Sequence, residues 1–139
     1  MVSTRVLSGP TVGELAPSWR LALDAQNKAT KTLEAYLGSL DQFVRFLSSK
    51  GMPQQVAHVR RGHIEAYIAH VLSVAKPSMA SVRYRALQQF FKWALKEGEI
   101  SVAPMLNMKP PKVPEDPPTM LTEDQIRALF SLIRPRILV

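Results

Sequence analysis

Arg85, Gln89, Lys92 and Lys96 stand at i, i+4, i+7 and i+11 within KPSMASVRYRALQQFFKWALKEGE, residues 76–99. At 100° per residue the four fall on one side of a helix. From Lys76 through Arg83, Arg85 and Lys92 to Lys96 the stretch holds five basic residues and no acid. Such a stripe can neutralise a polyanion; the plainer reading is a solvated helix face. A second group, Lys28-Ala29-Thr30-Lys31-Thr32, is basic and rich in hydroxyls. At a helix start those groups either receive phosphate oxygens beside free N–H groups or serve as caps.

Other chemistry finds little support. His63 and His70 are seven apart on one expected helix, but no carboxylate or cysteine joins them at metal-ligand spacing. Glu97 and Glu99 flank Gly98 at a helix end, which suits a solvated turn better than an acid/base pair. There is no phosphate-cradling glycine loop and no nucleophile elbow. Tyr36, Tyr67 and Tyr84 lie in helical stripes, where packing with the hydroxyl near the surface is expected. Phe90, Phe91 and Trp93 coincide with the apolar face and read as core rather than a base-stacking platform. The residues therefore imply no cofactor, metal or small-molecule substrate.

Four helices are expected to carry these groups. The first runs from Glu14 to Gln26, with Pro17 in its first turn and Trp19, Ala22, Leu23 and Gln26 on one face. The second is capped by Thr30 or Thr32 and ends at Gly51-Met52-Pro53. Its stripe is Leu33, Tyr36, Leu37, Leu40, Phe43, Val44 and Leu47, and Gly38 weakens its middle. A loop from Gln54 to Val59 leads to the third, Arg61 to Val74, which buries Ile64, Tyr67, Ile68, Val71 and Ala75. Pro77 breaks the chain, Ser78 or Ser81 caps the long fourth helix, and Gly98 stops it. The apolar sector of that helix comprises Met79, Val82, Ala86, Leu87, Phe90, Phe91, Trp93 and Ala94.

No strand alternation persists, so the fold class is all-α. The expected organisation is a loose arm over 1–13, a compact four-helix domain over 14–103, a Pro-rich linker over 104–120 and a short orphan helix over 121–139. Six prolines between Pro104 and Pro118 rule out a regular helix in the linker, which also carries Lys109 and Lys112. The orphan helix opens at Leu121-Thr122-Glu123-Asp124, with Thr122 as cap. It looks like the first element of a further domain.

The chain has 139 residues, a net charge of +7 and no cysteine. The charge favours nucleic acid or an anionic membrane surface as partner. No apolar run approaches the ~20 residues that cross a bilayer, and the first residues lack a signal peptide's apolar core. A cytoplasmic protein is the expectation.

Ala29-Thr30-Lys31-Thr32 with Tyr36, Leu40, Phe43 and Phe46-Leu47, followed by Arg83-Tyr84-Arg85-Ala86-Leu87-Gln88-Gln89-Phe90-Phe91-Lys92-Trp93, resembles the N-terminal core-binding (SAM-like) domain of tyrosine recombinases, the phage-integrase and Xer-like enzymes. Glu97-Gly98-Glu99-Ile100 with Ala103-Pro104-Met105 is similar to the turn leaving that domain. Lys109 to Pro114 resembles the interdomain linker, and Leu121 to Leu129 the start of the catalytic domain. The ordered series spans about residues 14 to 130. The resemblance implies half of a clamp around double-stranded DNA, with two helices facing the major groove. By that resemblance Thr30, Lys31 and Thr32 contact DNA from the second helix, and Arg83, Arg85, Gln89 and Lys92 from the fourth. Arg83 projects toward the apolar sector on the wheel and reaches DNA only through its place near the helix start. Lys109 and Lys112 touch the backbone from the linker. The family's tyrosine nucleophile and its arginine, histidine and lysine helpers belong to the catalytic domain, and no residue here matches their motifs. The chain is thus expected to bind DNA without cutting it, as the truncated front of a recombinase. Two further readings remain. One is a fragment docking on other recombinase protomers through Ile126, Leu129, Phe130 and Ile133; the other is a remnant with no function.

Overall fold

The computed structural model describes residues 9–114. Among them lie four α-helices: α1 (Val12–Ala25), α2 (Thr30–Ser49), α3 (Arg61–Val74) and α4 (Pro77–Lys96). A 3-10 turn, Val56–His58, precedes α3. α2 packs on α1 and α4, and α4 packs on α3. The fold is the all-α bundle expected. The arm's first eight residues, the linker beyond Pro114 and the orphan helix with its apolar patch lie outside the described residues.

The core is aromatic. Trp19 of α1 stacks on Tyr36 of α2 at 5.8 Å and meets Phe90 of α4 edge-on at 5.2 Å. Phe43 of α2 stands edge-on to Tyr67 of α3 and Phe91 of α4. Phe43 thus joins three helices, its own and two others, and offset or perpendicular ring pairs add to the energy of area burial. Ile100 and Met105 join the same core, so the chain stays anchored as it leaves α4.

Helix starts differ from expectation more than helix ends. α1 begins at Val12, closed by a reciprocal cap: Glu14 N–H donates to Thr11 Oγ1 and Thr11 N–H donates to Glu14 Oε1. Val12 is buried and its N–H donates to the Gln54 carbonyl, so part of the expected arm is clasped to the loop before α3. Pro17 consequently falls inside α1, not in its first turn. Neither Thr30 nor Thr32 caps α2; Ala29 occupies that place without a side-chain bond. Pro77 does not merely break the chain but opens α4, where its fixed φ suits the first turn and its missing N–H costs little. Ser78 and Ser81 therefore lie within the helix rather than capping it.

Three helices end alike. After α1, α2 and α4 the residues Asn27, Gly51 and Gly98 take positive φ. In each case the following amide reaches back to the last turn: Lys28 to Leu23, Met52 to Leu47, Glu99 to Ala94. This left-handed ending satisfies carbonyls that the helix leaves open.

The burial pattern needs several corrections. Met79 and Val82 are 40% and 37% exposed, while Ala80 and Tyr84 take their place in the core. The buried residues of α4 are Ala80, Tyr84, Ala86, Leu87, Phe90, Phe91 and Ala94, so the last five keep the expected sector and the first two widen it. Trp93 is half-buried rather than core. Ala75 is exposed, because α3 ends at Val74 and the chain turns extended. Phe46 and Ser39 are buried, though neither was in the expected stripe of α2. Tyr67 and Tyr84 are almost wholly buried, and the Tyr84 hydroxyl has no hydrogen-bond partner.

Candidate nucleic-acid interface

The left-handed turn at Asn27 fixes where Lys28 goes. Its amide is bonded to the Leu23 carbonyl at 3.3 Å, which folds the chain back over the end of α1. Lys28 thereby comes to line one cleft of about 410 Å³ with Gln89, Lys92 and Lys96 of α4. Trp19, Leu23 and Trp93 supply its apolar wall, and no carboxylate lines it. Three lysines separated by up to 68 residues in the sequence (Lys28 to Lys96) therefore share one surface depression. Gln89 is half-buried there, and its carboxamide offers both a donor and an acceptor.

Arg85 lies one turn before Gln89 and is exposed, with Nη2 3.4 Å from Ser81 Oγ. Thr30 and Lys31 are exposed and Thr32 half-buried at the start of α2, two to four residues beyond Lys28. The first helical bond of α2 is Leu33 N–H to the Ala29 carbonyl, at 2.9 Å. With no side-chain cap, the amides of Thr30, Lys31 and Thr32 are left for an external acceptor. Lys28, just before the start of α2, thus meets the Gln89–Lys96 end of α4. Lys28 and Lys96 complete the cleft, although neither was among the assigned contacts. The basic run around Lys28 and the i, i+11 spacing of Lys96 were the available signals.

Arg83 goes elsewhere. Its Nη1 donates to Ser39 Oγ at 3.2 Å, tying α4 to the buried polar residue of α2. Arg83 and Lys92 are nine residues apart, half a revolution of the helix, so they stand on opposite sides of α4. Beside Arg83, burial pushes the Tyr67 phenol up and the guanidinium charge partly opposes the shift. Lys109 and Lys112 are exposed in the Pro-rich linker and do not line the lysine cleft.

The histidines have separate structural duties. His63 Nδ1 accepts the Arg60 N–H at 2.9 Å, closing the start of α3. His70 lies against Phe46 at 5.4 Å. Among the described residues no group of three or more histidine, aspartate or glutamate side chains could hold a metal ion. No described helix is long and apolar enough to cross a membrane. What the cleft and its surroundings can do is hold anions through flexible ammonium groups, a guanidinium and free amides.

Residues 15–99 match the family model of the phage integrase N-terminal SAM-like domain. The chain is similar to tyrosine recombinase XerD of Shewanella oneidensis, 30% identical over 101 residues, covering 72% of this chain and 33% of that protein. XerD of Listeria innocua is 26% identical over 104 residues, covering 74% and 35%. XerC of Chlorobaculum parvum is 24% identical over 112 residues, covering 76% and 33%. The chain spans about a third of the length of these curated relatives. The integrase from mycobacterium phage Brujita shares the fold, with a TM-score of 0.63 at 19% identity, covering 84% of this chain and 38% of that one.

Proposed function

Because the chain belongs to the phage integrase N-terminal SAM-like domain family, we propose that it binds duplex DNA as the core-binding part of a tyrosine-type site-specific recombinase, in DNA integration and recombination. The observation that carries this reading is the acid-free cleft where Lys28 meets Lys92 and Lys96. Lysines there neutralise phosphates as point charges, Arg85 extends the contact along α4, and the open amides at Thr30, Lys31 and Thr32 donate to a further phosphate oxygen. Lys109 and Lys112 add positive charge along the linker. In this reading Gln89, between cations, takes a base edge. Arg83 acts from behind, holding α4 against α2. In this reading its part is to hold the duplex.

Binding of this kind releases counterions, so affinity falls steeply with salt and lies at roughly 10⁻⁴–10⁻⁶ M for sequence-independent contacts. The test is fluorescence anisotropy of a labelled duplex at two salt concentrations, with Arg85→Ala/Lys92→Ala beside the wild type and both folds checked by circular dichroism. Salt-sensitive binding that the folded double variant loses is the expected result. Equal affinity in the two proteins would overturn the assigned face, and no binding at low salt would overturn the DNA reading.

A further inference from the structure

A second cleft, of about 420 Å³, lies between α2, α3 and the first turns of α4. Arg83 lines it, so it opens on the side of α4 away from Lys92. Arg45, Lys50 and His70 line it as well, and no carboxylate does. Arg45 is paired with Asp41 at 2.9 Å, but Lys50 and Arg83 have no carboxylate within ion-pair distance among the described residues. The cleft is also apolar. Phe46 and Val71 are buried within it, while Val74 is 69% and Met79 40% exposed at its rim.

Cations beside exposed apolar side chains narrow the choice of partner. A phosphate backbone would use Lys50 and Arg83 but leave Val74 and Met79 wet. A purely apolar surface would cover Val74 and Met79 but strand the two charges against it, at a cost. An acidic, amphipathic surface satisfies both. The walls are helices whose backbone groups are paired internally, so a strand finds no edge to extend and a helix laid into the groove is the mode that remains. We propose that this cleft docks an acidic amphipathic helix of a protein partner, its apolar ridge on Val74 and Met79 and its carboxylates toward Lys50 and Arg83. The inference does not depend on the DNA reading, since the two clefts occupy opposite sides of α4.

The test titrates the full chain into a short fluorescein-labelled helical peptide with leucines at i, i+3, i+4 and i+7 flanked by glutamates. Companion peptides replace the glutamates by lysines, or the leucines by glutamines. The protein variants are Lys50→Glu and Met79→Glu, both at exposed positions, with folding checked by circular dichroism. The glutamate–leucine peptide alone is expected to bind, each variant to weaken it by roughly tenfold or more, and duplex DNA not to displace it. Equal binding of the lysine peptide, no binding of any peptide, or unchanged affinity in a folded Lys50→Glu protein would overturn the proposal. Displacement by duplex DNA would do so too, assigning the cleft to nucleic acid.

Discussion

Arg83 and Lys92 are both cations on one helix, yet their surroundings give them different work. Removing Arg83 leaves the buried Ser39 hydroxyl without its partner, a loss of about 1–3 kcal/mol. Arg83→Ala is therefore expected to lower the melting temperature while leaving the salt dependence of DNA binding nearly unchanged. Lys92→Ala should do the reverse, reducing the salt slope by about one with little effect on melting. Melting curves and salt titrations of the two variants separate the roles. The wheel already placed Arg83 toward the core; what it could not supply was Ser39, 44 residues away in sequence. Tyr84 makes a second prediction at this scale. Burial raises its phenol and that of Tyr67 above the ordinary value of 10.0. Below about pH 10 both are neutral folded and unfolded. Above it the unfolded chain loses these protons first, so stability falls as pH rises. Tyr84→Phe removes an unpartnered buried hydroxyl. It should raise stability by about 1 kcal/mol and flatten the alkaline loss, read by denaturant unfolding from pH 8 to 11.

At the scale of elements, turns decide where charge appears. Asn27 adopts φ 58°, a conformation that costs an ordinary residue roughly 1–2 kcal/mol and a β-branched one more. Asn27→Val is therefore expected to destabilise the domain and to weaken DNA binding by misplacing Lys28, whereas Asn27→Gly should preserve both. Thermal melting with anisotropy checks this. The endings at Gly51 and Gly98 were legible because glycine after a periodic run is a strong stop signal. Asn27 was not, since asparagine suits many turns without naming one. The start of α1 was misread for a different reason. Thr11 and Glu14 form the spacing of a reciprocal cap, but Gly9, Pro10 and Gly13 around them suggested a loop. The seat of the chain on the Gln54–Val56 loop, which makes that cap worthwhile, is tertiary information.

For the molecule as a whole, periodicity sufficed to give the four helices of the described residues and their order, because each apolar stripe has one way to be hidden. The candidate site was only half legible. The stripe on α4 and the basic start of α2 were visible separately; their approach depends on α2 packing against both α1 and α4. The same packing separates two basic clefts that composition merges into a single charge of +7. One is walled by tryptophans and open to phosphates, the other rimmed by valine and methionine.

The chain has two tryptophans, and both stand at the lysine cleft: Trp19 in its wall, almost fully buried, and Trp93 half-buried beside Lys92. All of the protein's indole emission therefore originates within a few side chains of the proposed phosphate contacts. The molecule carries its own optical reporter, and DNA binding should change its emission with no dye attached. Trp93→Phe should remove most of that response, because the remaining indole, Trp19, is packed against Tyr36 and Phe90. A ligand confined to the cleft at Lys50 and Met79 should leave the emission nearly unaltered, so one spectrum distinguishes which side of α4 is occupied.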